Sequence, residues 1–304
     1  MACYHPITAY RSKAGRDAKT GKWPVVFNIR DGYADMIVTL PCQQCIGCRL
    51  ERSRQWAIRC MHEASLHEQN CFLTLTYSDE YLRYAVSSET GELAPTLVKQ
   101  DIVKFLKDLR YRFGSGIRFF QCGEYGEINM RPHHHMIVFN FDFPDKVLFT
   151  TKNGYPLYRS PILERLWPYG MSSIGSVTFE SAAYVARYIT KKITGDTAPD
   201  HYGPRLPEYV TMSRRPGIAR EWFEKFHRDV FPSDKCVIRS DLIARPPRYY
   251  DKLFDLTDSD AFAIIKARRV NAALANSDND YERRAVKEKV QQARFKKLIR
   301  PIEI

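Results

Sequence analysis

The sequence predicts an α+β fold in which a central antiparallel sheet is flanked by helices. Three observations lead there. Short runs of β-branched and aromatic residues with two-residue alternation occur at 71–77, 117–122 and 131–140. Stretches with helical periodicity lie among them at 49–68, 97–113 and 180–193. The connections between the runs are short, which suits antiparallel pairing with helices on a face.

Bulk properties narrow the function classes. With 304 residues, 44% hydrophobic and 13% aromatic, the chain has ample material for a packed core and is not a disordered protein. Its 47 basic against 35 acidic residues leave a net charge of +12, which favours a polyanionic partner, nucleic acid first. No apolar run is long enough to span a bilayer, and the start Met1-Ala2-Cys3-Tyr4-His5 carries no export signal. Eight cysteines at irregular spacing therefore point to metal ligands or reduced thiols in a reducing cytoplasm rather than to disulfides.

In chain order, residues 1–40 are basic and centre on a loop with Arg11, Lys13, Arg16, Lys19 and Lys22. The run from Gly15 to Lys22 is not a phosphate-binding loop: five residues separate its glycines, and Trp23 stands where a magnesium-binding Ser or Thr belongs. No ATPase motor of that type is present. Cys42, Cys45 and Cys48 follow at three-residue spacing. The fourth Cys and Pro of a ferredoxin run are missing, so zinc with Cys3 as a distant fourth ligand is the metal reading, and free thiols are the alternative. The helix at 49–68 has an apolar stripe through Leu50, Trp56, Cys60 and Leu66. Its arginines are either a solvated face or a basic face beside nucleic acid.

The strand at 71–77 precedes a helix at 97–113 with apolar positions Ile102, Phe105, Leu106 and Leu109. The strand at 117–122 runs into a loop carrying Glu124 between Gly123 and Gly126. In the next strand, alternation puts His133 and His135 on one face and His134 on the other. Two imidazoles one pleat apart can share a divalent cation if an oxygen ligand is near, and Glu124 is a short loop upstream. The plain alternative is a surface hairpin with exposed histidines.

A short helix at 162–167 and a strand at 175–179 lead into the helix at 180–193, closed by Gly195. Its spacing puts Ala182, Ala186, Ile189 and Ile193 on one side. Tyr184, Arg187, Tyr188 and Lys191 share another. Tyrosine suits phosphodiester cleavage when the bond energy must be kept, because an aryl phosphoester still transfers to a later DNA hydroxyl. A nearby lysine stabilises the charge that develops. Tyr residues four apart also pack in ordinary helices, but here they accompany a candidate metal site. Past residue 199 the chain turns rich in Pro, Arg and Tyr, and 266–300 reads as a basic helical tail.

These residues together resemble the HUH endonucleases (histidine, hydrophobe, histidine), and within them the rolling-circle replication initiators of the microviruses, gokushovirus branch. The similar segments are 41–59, 72–77, 123–126, 131–139 and 184–192, continuing more weakly through 207–216. The middle residue is His134 where the family has a hydrophobe. The resemblance implies an HUH nickase fold with metal ligands His133, His135 and Glu124 for Mg²⁺ or Mn²⁺. It implies nucleophiles Tyr184 and Tyr188, the helix lysine Lys191, and DNA contacts from Arg187 and Lys192. Residues 1–200 would form the nicking and strand-transfer domain with its Cys-rich start, and 201–304 a basic, mostly helical extension.

The expected function is site-specific nicking of a replicative-form origin, leaving a 5′ phosphotyrosine on the protein, followed by rejoining of the displaced strand into a circle. Such a protein, lacking a motor, needs a host helicase and polymerase as partners in the bacterial cytoplasm and has no membrane role. Two rivals are a non-catalytic, zinc-stabilised DNA-binding protein and an iron oxygenase with two histidines and a carboxylate. Neither expects the Tyr–Tyr–Lys face.

Overall fold

A computed structural model of the chain describes residues 3–297, except 20, 127–128, 192, 194–197, 240–241, 277 and 279, and except the side chains of 188–191 and 239. It divides into two compact units: Met1–Glu51 with Arg268–Leu298, and Arg52–Ala267. The smaller unit contains a three-stranded antiparallel sheet in the order β2-β1-β3, from β1 (Ile7–Ser12), β2 (Val25–Val26) and β3 (Gly32–Leu40). The expected loop is thus only the link between β1 and β2. Helix α1 (Ile46–Ala64) begins in this unit, three residues earlier than its periodicity indicated.

The larger unit is built on β4 (Asn70–Thr76), the hairpin β5 (Tyr84–Val86) and β6 (Leu93–Pro95), α2 (Lys99–Phe113), β7 (Arg118–Tyr125) and β8 (Pro132–Phe139). It continues through β9 (Val147–Lys152), β10 (Tyr155–Arg159), α3 (Pro161–Leu166), β11 (Ser172–Gly175) and α4 (Phe179–Lys191). Next come α5 (Ala198–Tyr202), β12 (Tyr209–Met212), α6 (Arg220–Val230), the hairpin β13 (Cys236–Arg239) and β14 (Leu242–Ala244), and α7 (Arg248–Thr257). Helix α8 (Ser259–Leu274) contains the division between units, and α9 (Tyr281–Lys296) belongs to the smaller one. The basic tail is therefore two helices, with Asp280 capping the second through Arg283 N.

Seven strands form one antiparallel sheet in the order β12-β7-β8-β4-β11-β10-β9. Strand alternation gives it two apolar faces. Phe72, Phe120, Ile137 and Phe139 join one cluster with Ala182, Val185 and Ala186 of α4. Leu73, Leu75, Met136 and Val138 join the other with Phe105 and Leu109 of α2 and Trp167. The histidine strand is central and buried on both faces, with β7 and β4 as neighbours. The surface-hairpin alternative does not hold.

Three expectations shift. Glu124 is not on a loop: β7 extends to Tyr125, and Glu124 pairs directly with His133. The strand expected at 175–179 is β11, ending at Gly175. Thr178 and Ser181 exchange hydrogen bonds, Ser181 N to Thr178 Oγ1 (3.1 Å) and Thr178 N to Ser181 Oγ (2.8 Å), which starts α4 instead. On α1, Arg59 is neither solvated nor available to DNA. Its guanidinium lies between the Trp56 and Tyr249 rings, 4.0 and 3.9 Å from their centroids, and donates to Ile218 O.

Among the described residues no helix is long and apolar enough to cross a membrane.

Candidate metal centre and tyrosine helix

The site follows from register. Glu124 opposes His133 across β7 and β8, and Cys122 opposes His135. Side chains on alternate residues face alike, so Glu124, His133 and His135 all project to the sheet face that α4 covers. Nε2 of His133 and Nε2 of His135 each lie 2.8 Å from Glu124 Oε1. The three ligand atoms all fall within 4.8 Å of one another, and the group is placed to hold a metal ion. Glu124 and His135 are buried, while the His133 side chain keeps 18% of its exposure and forms the mouth.

The imidazoles are oriented from behind. His133 Nδ1 lies 3.1 Å from Arg131 O, and a carbonyl only accepts, so Nδ1 carries the hydrogen. A neutral His133 then turns its Nε2 lone pair towards a carboxylate oxygen at 2.8 Å, an arrangement that requires a positive charge between them. Thr74 Oγ1 holds His135 Nδ1 at 3.1 Å from β4 in the same way. Glu124 Oε2 is buried with no hydrogen-bond partner among the described residues, a second oxygen available to a cation. Burial raises the Glu124 carboxyl, yet the hydrogen bonds and charge of His133 and His135 outweigh it, leaving its pKa below the ordinary value. The donor set of two imidazoles and one carboxylate suits Mg²⁺ or Mn²⁺.

His134 does what alternation requires and faces the other cluster, fully buried. Tyr77 Oη donates its single proton to Asp101 Oδ2 (3.0 Å), so His134 Nε2 must donate to Tyr77 Oη (3.2 Å). Its Nδ1 is then a bare, buried acceptor among the described residues. Such an atom costs about 1–3 kcal/mol, which burying even one neighbour such as Met136 roughly offsets. Burial first, then His133 and His135, hold this imidazole at about 3, so it is neutral. Gly123 pairs with His134, and a Cβ there would lie 2.8 Å from Tyr209 Cε1 and 3.1 Å from His134 Nδ1. The glycine beside Glu124 therefore makes room for the buried histidine.

Helix α4 lays Tyr184 over the metal group. The phenol is 3% exposed, its ring stands edge-on to His135 at 5.0 Å, and its hydroxyl is 3.4 Å from Glu124 Oε1. Tyr184 is thus not on a solvent face distinct from the packing face. Helical spacing separated the two, but α4 is so closely covered that Val185 and Ala186 beside Tyr184 are buried as well. The Arg187 guanidinium lies 5.5 Å from the Tyr184 ring centroid. Tyr188 and Lys191 are in α4, but their side chains, and the whole of Lys192, lie outside the described residues, as does Gly195. The sequence reading missed Thr74 and Asp101. A threonine facing the same way as Phe72 in an otherwise apolar strand was the available signal for the first; Asp101 gave none.

Cys3, Cys42, Cys45 and Cys48 also come together, with all four sulfurs within 4.8 Å of one another in the smaller unit.

A sheet that sets two histidines and a glutamate on adjacent central strands, beneath a tyrosine of a covering helix, defines a cation site with a phenol at its edge. Comparison with known proteins takes this further. The family model for replication-associated proteins of the ORF2 type matches residues 70–193, the span that runs from β4 through α4 and so contains this site. The chain is 32% identical over 288 residues to "Replication-associated protein ORF2" of Spiroplasma virus 4, covering 90% of this chain and 87% of the relative. It is 34% identical over 261 residues to "Replication-associated protein VP4" of Bdellovibrio phage phiMH2K, covering 82% and 76%. With "Replication-associated protein ORF4" of Chlamydia phage 1 it shares 29% over 245 residues, 76% of this chain and 58% of the relative. No solved structure matches significantly. The chain belongs to the family of viral replication-associated proteins.

Proposed function

We propose that this protein is a site-specific DNA nickase and strand transferase that starts rolling-circle replication of a phage genome. The observation that carries the reading is the Tyr184 hydroxyl, 3.4 Å from the Glu124 oxygen on which His133 and His135 converge. Family membership supports the role in viral DNA replication.

His133, His135 and Glu124 would hold Mg²⁺ or Mn²⁺, and the bound cation supplies charge stabilisation at the scissile phosphate. The chain's own groups do the rest. Arg131 O and Thr74 Oγ1 fix the two imidazoles, so the ligand face is preorganised. The hydrogen bond to Glu124 aims Tyr184 Oη at the same point. Tyr184 Oη attacks phosphorus; the Oη–P bond forms as the bond to O3′ breaks. The phenolic proton is given up, and a proton is taken by the departing 3′ oxygen. Tyr188, one turn along α4, acts on the regenerated junction, and the released 3′ hydroxyl then attacks the first phosphotyrosine to close the circle. Lys191 stabilises the developing charge, and Arg187 and Lys192 bind the DNA backbone. A host polymerase extends the 3′ end and a host helicase opens the duplex, in the bacterial cytoplasm.

The test is incubation with origin-bearing single-stranded DNA and Mn²⁺. A protein–DNA adduct that survives boiling in detergent is expected. Tight DNA binding with no adduct under any divalent cation leaves the non-catalytic reading.

A further inference from the structure

The smaller unit lacks what normally holds a domain together. Among its described residues the buried apolar side chains are Cys3, Ala9 and Cys48, and two of these are cysteines. Neither hydrophobic cluster of the protein includes a residue from it. Its sheet has one strand of two residues, and β3 is exposed along most of its length. A three-stranded sheet with so little burial does not persist in water without a staple.

The staple sits at the open end of the sheet. Ile7 pairs with Leu40, where β1 starts and β3 finishes, and Cys3 and Cys42 flank that pair. Disulfides are not the staple: none links the eight cysteines, and Cys42 Sγ is 4.0 Å from Cys48 Sγ. That spacing instead matches the sulfur–sulfur edge of a tetrahedral zinc thiolate, about 3.8 Å for Zn–S bonds of about 2.3 Å. Backbone amides point at the sulfurs, Cys42 N to Cys3 Sγ (3.2 Å), Cys45 N to Cys42 Sγ (3.3 Å) and Tyr4 N to Cys45 Sγ (3.4 Å). Gln43, in the left-handed region at φ 66, turns the chain between Cys42 and Cys45. Amide donors on sulfur are what a cluster of thiolates needs to share one cation.

We propose that Cys3, Cys42, Cys45 and Cys48 bind one Zn²⁺ as a tetrathiolate and that this ion replaces a hydrophobic core for the smaller unit. The role is structural and separate from the cation at Glu124, His133 and His135. The four ligands leave no position open for a substrate. Binding releases the thiol protons and fastens residue 3 to the first turn of α1.

The test uses the full chain purified under reducing conditions. Metal analysis is expected to give about one zinc per chain, unchanged in His133→Ala. Exchange of the wild type into Co²⁺ should give the intense visible bands of a tetrahedral thiolate site, a readout that involves neither a variant nor nicking. Removing zinc with a chelator should speed amide exchange across residues 7–40 by about tenfold or more, while β4, β7 and β8 keep their protection. Cys42→Ser with Cys45→Ser should reproduce that pattern and lose the zinc. Zinc-free protein, iron in its place, or unchanged exchange at 7–40 after metal removal would each overturn the proposal. Because none of these readouts involves DNA cleavage, failure here and failure of the nickase reading are distinguishable.

Discussion

Glu124 and His133 are direct cross-strand partners on β7 and β8, and their side chains meet at 2.8 Å between Oε1 and Nε2. The register of one strand pair therefore positions the carboxylate, and the pleat of β8 brings His135 to the same oxygen. The ligand group rests on backbone hydrogen bonding in the most buried part of the sheet. It should be rigid before any ligand arrives.

The histidine face makes the first prediction. His133→Ala and His135→Ala should each lower adduct formation by about 100-fold or more, as expected for lost ligands, with little change in thermal unfolding for the partly exposed His133. His134→Ala should do the opposite. It should lose about 2–4 kcal/mol of stability by emptying a buried site and leave the Mn²⁺ midpoint of the surviving fold in place. Equal losses of activity from all three, at equal stability, would place the ligands differently.

Thr74 offers a finer test. Thr74→Val keeps the volume of the side chain but removes the hydroxyl on His135 Nδ1. The Mn²⁺ concentration for half-maximal adduct should rise by about 10-fold, in the range for groups that orient a ligand. Thr76→Val serves as control, since the Thr76 hydroxyl bonds Met171 O and not a histidine. A Thr74→Val midpoint equal to wild type would show that His135 needs no such support.

Stability should fall with acid through His62. This imidazole is buried, stacked on Trp222 at 3.5 Å and bonded to Tyr250 Oη at 2.8 Å. Burial lowers its pKa from 6.5 to about 4. In the pH range between those values the unfolded chain binds the proton and the folded chain does not. The contribution is fully present above 6.5 and is lost as pH falls towards 4, about 3 kcal/mol in all. Denaturant midpoints measured from pH 7 to pH 4 should decline accordingly, and His62→Phe, whatever its starting stability, should flatten that part of the slope. An unchanged slope would put the acid sensitivity on other groups.

How much of this was legible beforehand depended on what each signal encodes. Alternation is local, so His133 and His135 against His134 could be read from three letters, and the buried neighbours of β8 confirm the split. Glu124 was found by proximity but given the wrong element, because Gly123 reads as a turn residue when its purpose is to clear Tyr209 and His134. The β9–β10 hairpin was passed over although Asn153-Gly154 marks it; both residues have positive φ, as a two-residue turn of that kind requires. Asp101 and Thr74 were out of reach because their roles arise from pairing across elements. No residue pattern along one strand reveals that Tyr77 hands its proton to Asp101 and so fixes the tautomer of His134.

The central claim is that a tyrosine of α4 carries the DNA. The most direct measurement is the site of the covalent link, read by mass spectrometry of the peptide recovered from a Mn²⁺-dependent adduct with single-stranded origin DNA. The nucleotide should be on Tyr184 or Tyr188. Tyr184→Phe and Tyr188→Phe should each still form some adduct, since residues four apart can approach one phosphate in turn, but neither should complete repeated circle release. The double substitution should bind DNA and form none. An adduct mapped to any other residue, or one that persists undiminished in the double variant, would contradict the account.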